Sequence, residues 1–274
     1  MTNIGRPEIY SREYYQRIAE LEDRHWWHLG MREVASALIR SHPGHTQHWR
    51  VLDAGCGTGG GITWAQNILG SKTVMGIDIS RDALDLCRRR QSCRLLSQAS
   101  IVQLPFRNES FDLVLCHDVL QHLPTDGLDK SALAEMHRVL RPGGLLLARA
   151  NSRLGMWQEE TAPDTDFQRY TLQEIASRFE AAGFVVRRAT YANCLPGLYA
   201  SLKRWLHHRS SFRHTHHRLY EGLNLGETAF RRYWLNRLLL WIIKAEAVYL
   251  SASKRSLAFG HSTFCLGVKP PDAA

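Results

Sequence analysis

The chain has 274 residues, a formal net charge of +9 and 44 % apolar residues, enough for one large domain, or one domain with additions, around a buried core. The first 28 residues, "MTNIGRPEIYSREYYQRIAELEDRHWWH", are charged and carry no apolar run, which argues against a secretory signal. The longest apolar stretch, "LLLWIIKAEAVYL", is broken by Lys244 and Glu246 and is too short and too charged to span a bilayer. Six cysteines lie scattered with no CxxC pair, as in a reduced cytoplasmic protein.

In chain order, residues 7–40 read as helical and Pro43-Gly44 ends the run. A strand–helix alternation follows. "WRVLDAG" is a short buried strand, "GGITWAQNILG" a helix closed by Gly70, and "KTVMGIDIS" a strand ending in an acid. "SRDALDLCRRR" is a helix with Ser80 as N-cap and arginines near its C-terminus, where they favour the helix dipole. "CRLLSQAS" and "FDLVLCHDVL" are strands, and "DKSALAEMHRVLRPGG" is a helix stopped by Pro142 and the glycines behind it. "LLLARAN" is a strand, "TLQEIASRFEAAG" a helix opened by a Thr171/Glu174 capping box, and "FVVRRATYA" a strand. Residues 195–257 interrupt the alternation with a helical, basic stretch before the final strand "HSTFCLGVKP". Alternation with continuous apolar strands implies a parallel sheet covered on both faces, which binds ligands at the carboxyl ends of its strands.

The chemistry concentrates in "VLDAGCGTGGG", Val51 to Gly61. This loop follows a strand and opens a helix, so its N–H groups face whatever sits above the sheet. Gly55, Gly57 and Gly60 satisfy the dinucleotide spacing GxGxxG, a weak signal by itself. Asp53 beside the loop points elsewhere, because a carboxylate repels a pyrophosphate and suits a ligand with a cationic amine. The next strand ends at Asp78, about twenty residues on, where an acid accepts hydrogen bonds from ribose hydroxyls. An adenosine carrying an amino acid meets all three features, and S-adenosylmethionine is such a molecule.

These motifs resemble those of the class I S-adenosylmethionine-dependent methyltransferases, in the methyltransferase type 11 or UbiE-like group. "VLDAGCGTG", "GIDIS", "LPFRNESFDLVLCHDVLQHL" and "EMHRVLRPGGLLLA" follow that family's order and spacing over about residues 50–150. The resemblance implies a Rossmann-like, seven-stranded, mostly parallel sheet with helices on both faces and an antiparallel last strand. It implies a core at 46–194 plus 258–270, an N-terminal helical lid at 1–45 and a helical, basic cap of the acceptor site at 195–257. It also places cofactor contacts on Asp53, Ala54, Gly55 and Gly57 at the methionine end, Asp78 on the ribose, Ile79, Ser100 and Ile101 around the adenine, and His117 near the methionine part. Ser100 stands where the family usually has an aspartate, which shifts adenine recognition toward backbone and packing. His25, Trp26 and Trp27, in "DRHWWH", suit either a lid over the cofactor or core packing.

Methyl transfer is an in-line displacement, so the protein's task is mainly alignment and exclusion of water. A base is needed only for an acceptor that arrives protonated. His117, Asp118 and His122, in "LCHDVLQHL", stand where an acceptor would approach; His122 and His117 are the catalytic candidates, against a plain packing or capping role for His122. The histidine-rich run "HHRSSFRHTHH" lacks carboxylate partners at helical spacing and a companion cysteine, so it reads as exposed basic surface and no metal site is expected. "YWLNRLLLWIIKAEAVYL" carries more apolar surface than a solvated helix needs, so it packs on the sheet, lines a greasy acceptor site or lies at a membrane surface. The expected function is methylation of a small, apolar or lipid-like acceptor with an anionic group. The alternatives are an RNA methyltransferase, favoured by the charge but lacking an appended RNA-binding motif, and a non-catalytic cofactor-binding protein.

Overall fold

The computed structural model describes residues 10–42, 49–70, 73–90, 93, 95–124, 127–153, 168–195, 197–198 and 233–271. Pro43-Gly44, the histidine-rich run and residues 199–232 of the basic segment lie outside the described residues.

The elements run α1 (Arg12–Leu21), α2 (Trp26–Arg40), β1 (Val51–Ala54), α3 (Gly60–Leu69), β2 (Val74–Asp78), α4 (Arg81–Arg89), β3 (Leu96–Gln98), β4 (Phe111–His117), a 3-10 turn (Leu120–His122), α5 (Leu128–Val139), β5 (Leu140–Asn151), α6 (Leu172–Ala181), β6 (Val185–Ala192), α7 (Tyr233–Ala252) and β7 (Ser262–Val268). The strands form one seven-stranded sheet in the order β3-β2-β1-β4-β5-β7-β6. β7 runs antiparallel to both neighbours, and the other paired strands are parallel. This is the Rossmann-like methyltransferase arrangement that the motifs imply.

Alternate residues of the central strands feed two apolar layers. Val51, Leu113, Leu115, Leu145 and Leu147 join α2, α3 and α7 on one face. Leu52, Val114, Leu146 and Ala148 join α5 and α6 on the other. The two-residue side-chain period of a strand is what divides them so cleanly.

Two elements differ from their sequence reading. The N-terminal helical run is two helices, broken after Leu21, because Glu22 and His25 are drawn into polar contacts described below. Pro142-Gly143-Gly144 does not lie beyond α5 as a plain stop; it sits inside β5. There Gly143 adopts φ +78°, its N–H donates to the Lys269 carbonyl at 2.8 Å, and Lys269 N–H returns a bond to Gly144 at 2.9 Å. A proline at that sheet end loses no ladder bond, and the glycine supplies the left-handed turn.

Candidate functional site

β1 ends at Ala54 and the chain turns sharply over Gly55, at φ +94°, where an added Cβ would lie 2.2 Å from the Val119 side chain. Gly57 also has positive φ, but a Cβ there would meet nothing within 4 Å: its bare backbone faces open space. Gly55 and Cys56 N–H both donate to the Ile77 carbonyl at 2.8 Å, so β2 fixes the loop. Asp78 closes β2 and accepts from Gly57 N–H and Ser80 N–H, each at 2.9 Å. Burial raises its carboxyl above the usual range, and the N–H groups of Ser80, Gly57 and Ile79 oppose that rise. Next to it Ile79 leaves 68 % of its surface exposed, apolar area presented to the cavity rather than to the core.

That cavity has a volume of about 770 Å³, and Gly55, Gly57, Asp78, Ile79, Ser100 and Ile101 line it, as does His117. Asp53 and Ala54 do not line it. Asp53 is buried beneath the loop, its Oδ2 2.5 Å from where a Gly61 Cβ would stand, so Gly61 must be bare for α3 to start there. Burial, then the neighbouring charges of Asp78 and Glu22, push the Asp53 carboxyl up to about 7. A bare loop, an acid bonded through backbone amides and an exposed isoleucine fit a nucleoside with an amino-acid tail.

The N-terminal helices are fastened to this loop by a buried acid. Glu22 accepts from Thr58 Oγ1 and from the Gly60 N–H at 3.1 Å, capping α3 from another element where its own N-cap, Gly59, has no side chain. Arg90 bonds Glu22 at 2.5 Å and also Asp23; Arg32 lies 3.5 Å from Glu22 and 3.2 Å from Asp23. Two acids and two guanidiniums thus tie the end of α1, α2 and the end of α4 to the cofactor loop. Burial raises the Glu22 carboxyl against the opposing pull of Arg90, Thr58 and Arg32.

The same cavity also has an aromatic lining. Trp26, Trp27 and five histidines, His25, His28, His117, His122 and His261, line it. His25 caps α2 by accepting from the Trp27 N–H at 3.3 Å. Arg149, 6 % exposed, stacks 4.7 Å above Trp27 and holds Asp118, which takes a left-handed φ of +58°. Burial, with Arg149 and Arg32 nearby, drives His117 well below the ordinary imidazole range; burial and His25 do the same to His28. Burial also lowers His122, with Asp118 opposing. All three are therefore neutral at pH 7. His28 Nε2, His117 Nε2, Trp26 Nε1 and Asn193 Oδ1 are sealed from solvent without a hydrogen-bond partner. All four belong to residues that line the cavity, and unmet buried polar atoms are uncommon in proteins. Among the described residues no group of three His, Cys, Asp or Glu could hold a metal ion.

α7 reaches both sides of this wall. Its Asn236 accepts from the Trp26 N–H at 2.9 Å and donates to the Arg24 carbonyl at 3.0 Å. Its Glu246 accepts from the N–H groups of Asn193 and Cys194 at 2.7 and 2.9 Å, holding Asn193 at φ +62° beside the cavity. Glu22, Arg149, Asn193, Asn236 and Glu246 are the functional positions that motif reading passes over. Glu246 left a trace, a lone acid inside an apolar helix, which reads equally well as a solvated charge.

Residues 52–148 match the family model described as a methyltransferase domain. With the strand order and the glycine loop, this places the chain among the class I S-adenosylmethionine-dependent methyltransferases. Two curated relatives are similar over part of their length. Phthiotriol/phenolphthiotriol dimycocerosates methyltransferase 1 of Mycobacterium ulcerans is 36 % identical over 118 residues, 41 % of this chain and 42 % of the relative. The fatty-acid O-methyltransferase of Mycolicibacterium smegmatis is 30 % identical over 191 residues, 67 % of this chain and 66 % of the relative. The chain thus spans less than two thirds of each. The methyltransferase in a complex with the Haloferax volcanii Trm112 methyltransferase activator shares the fold, with a TM-score of 0.59 at 19 % identity over 95 % of this chain and 96 % of that one.

Proposed function

We propose that the protein transfers a methyl group from S-adenosylmethionine to a small-molecule acceptor with a large apolar part, of the lipid-like kind named for its relatives. The observation that carries this reading is one cavity lined by two unlike sets of residues: a bare loop with Asp78, and a group of tryptophans and histidines. When bound, the cofactor supplies a methyl group already activated on a sulfonium centre. Asp78 holds the ribose, Gly55 and Gly57 admit the methionine end, and Ile79, Ser100 and Ile101 flank the adenine. Asp53 acts from beneath, as a negative charge behind the loop that favours an ammonium.

Trp26, His117 and His122 position the acceptor and keep water out. Neutral His117 and His122 shape the approach of the acceptor but are poor stores for a proton, since burial penalises their cations. The larger share of the rate comes from alignment.

Calorimetry with S-adenosylhomocysteine, followed by incubation of labelled cofactor with long-chain acids and alcohols, tests the proposal. Micromolar binding and label in an apolar product are expected. Failure to bind S-adenosylhomocysteine would overturn the reading altogether; binding with label found only in nucleic acid would overturn the acceptor class.

A further inference from the structure

α7 is apolar on both sides, yet only one side is covered. Its inward residues Ile243, Ala247 and Leu250 are buried, and Ile243 packs so closely on Gly30 of α2 that a Cβ there would lie 2.6 Å away. The opposite face repeats at three- and four-residue steps and is open to solvent: Trp234 is 63 % exposed, Leu238 46 %, Trp241 69 % and Val248 67 %. Tyr233 and Tyr249 flank it at 70 % and 42 %. A helix apolar all round belongs in a core or at a lipid boundary, and contiguous exposed apolar surface of this kind marks an interaction site.

The charges around this face are mostly positive, with Lys244 paired to Glu33 of α2 at 3.3 Å. Arg237, Lys244, Lys254 and Arg255 are exposed on α7 and just beyond it. The single acid of the helix, Glu246, is turned inward onto the Asn193 and Cys194 amides. Aromatic rings that are apolar in body and polar at the tip, bordered by cations, are the composition of a helix lying in a membrane interface. No described helix is long and apolar enough to cross a membrane. Apolar side chains are also exposed next to cavity-lining residues: Leu195 and Leu198, 56 % and 40 % exposed, bracket Gly197, and Phe259, 48 % exposed, stands two residues from His261.

We propose that the outward face of α7, together with the leucines and phenylalanine at the cavity rim, docks on an anionic lipid bilayer. The tryptophans enter the headgroup region and the cations meet the lipid phosphates. The cavity then opens toward the bilayer surface, although docking itself requires no methyl transfer.

The full chain is sedimented with vesicles of phosphatidylcholine alone and with vesicles containing one third phosphatidylglycerol. Binding to the anionic vesicles, at least tenfold stronger than to the neutral ones and weakened by salt, is expected. A blue shift of tryptophan emission accompanies it. The double variant Trp234→Gln/Trp241→Gln loses vesicle binding at least tenfold while its S-adenosylhomocysteine affinity stays unchanged, which shows that it is folded. The charge variant Arg237→Gln/Lys254→Gln/Arg255→Gln loses the preference for anionic vesicles. Absence of binding to either vesicle overturns the proposal. So does a concentration-dependent dimer in light scattering that the tryptophan variant abolishes, which would assign the face to a second copy of the chain.

Discussion

The two sets of residues that line the cavity are built on different terms. The set proposed to hold the cofactor is main chain and one acid at the tips of β1 and β2, where hydrogen bonds to β2 fix the loop: Gly55, Cys56 and Gly57 donate to Ile77 and Asp78 within 2.9 Å. The set proposed to meet the acceptor is side chains from α2, the β4 tip and the segment after β6, assembled by long-range contacts such as Asn236 to Trp26 and Glu246 to Asn193. The first kind of site is local and constrained by its ligand. The second depends on elements far apart in sequence, and it can be retuned without touching the first. Fold and chemistry are thus separable in this molecule.

The sharpest way to break the link between the two sets is Glu22→Ala. It leaves Arg32 and Arg90 without their shared buried partner and removes the cap on Gly60. A loss of about 3 kcal/mol is expected from such a broken buried pair. Thermal melting should show it as a fall of several degrees, and an unchanged midpoint would mean that the N-terminal helices are not secured through this acid.

Asp78→Ala attacks the cofactor set alone. If the carboxylate that organises two amides also takes the two ribose hydroxyls, as proposed, its removal should weaken S-adenosylhomocysteine about a hundredfold, as expected for two lost charge-assisted bonds. An affinity within threefold of the parent would remove Asp78 from the site.

Protonation separates Asp53 from its neighbours. Its folded carboxyl, at about 7, lies above the unfolded value of 3.8, so the folded chain holds a proton that the unfolded chain has released. This group therefore makes the ligand-free protein lose stability as pH rises from about 4 to 7, with the full penalty present above 7. Asp53→Asn should flatten that slope and raise the melting temperature at pH 8. Binding of a ligand ammonium should expel the proton, seen near pH 6.5 as a dependence of calorimetric heat on buffer ionisation enthalpy; heats that do not vary between buffers would contradict it.

For the acceptor set, Glu246→Gln keeps the shape but weakens the hold on the Asn193 and Cys194 amides. KM for the acceptor should rise about fivefold with S-adenosylhomocysteine affinity unaltered. A comparably small effect is expected from His122→Gln. A histidine whose cation is disfavoured by burial contributes position more than proton storage, so kcat should fall less than tenfold, and a loss of a thousandfold would reinstate it as an obligatory base.

The contrast between the sets also explains what could be read in advance. The sheet, its antiparallel last strand and the loop around Gly55 and Gly57 follow from strand–helix alternation and from motifs whose residue types are forced by backbone geometry. Ile79, Ser100, Ile101 and His117 line the cavity. Asp53 was legible as an acid beside the loop, but not its place beneath it, because spacing gives sequence position and not depth. The break after Leu21 was hidden because Glu22 looks like any helical glutamate until Arg90, 68 residues away, is brought beside it. Arg149, inside an apolar strand, and Asn193, at the end of another, owe their roles to tertiary partners that no short window contains.

β7 pairs with β6 on one side and β5 on the other, with Ala192 opposite Ser262. The chain therefore leaves the sheet and rejoins it at adjacent rungs, and the residues at both exits, Asn193 and His261, face the cavity. Whatever polypeptide is strung between those two rungs is delivered to the same doorway, however long it is.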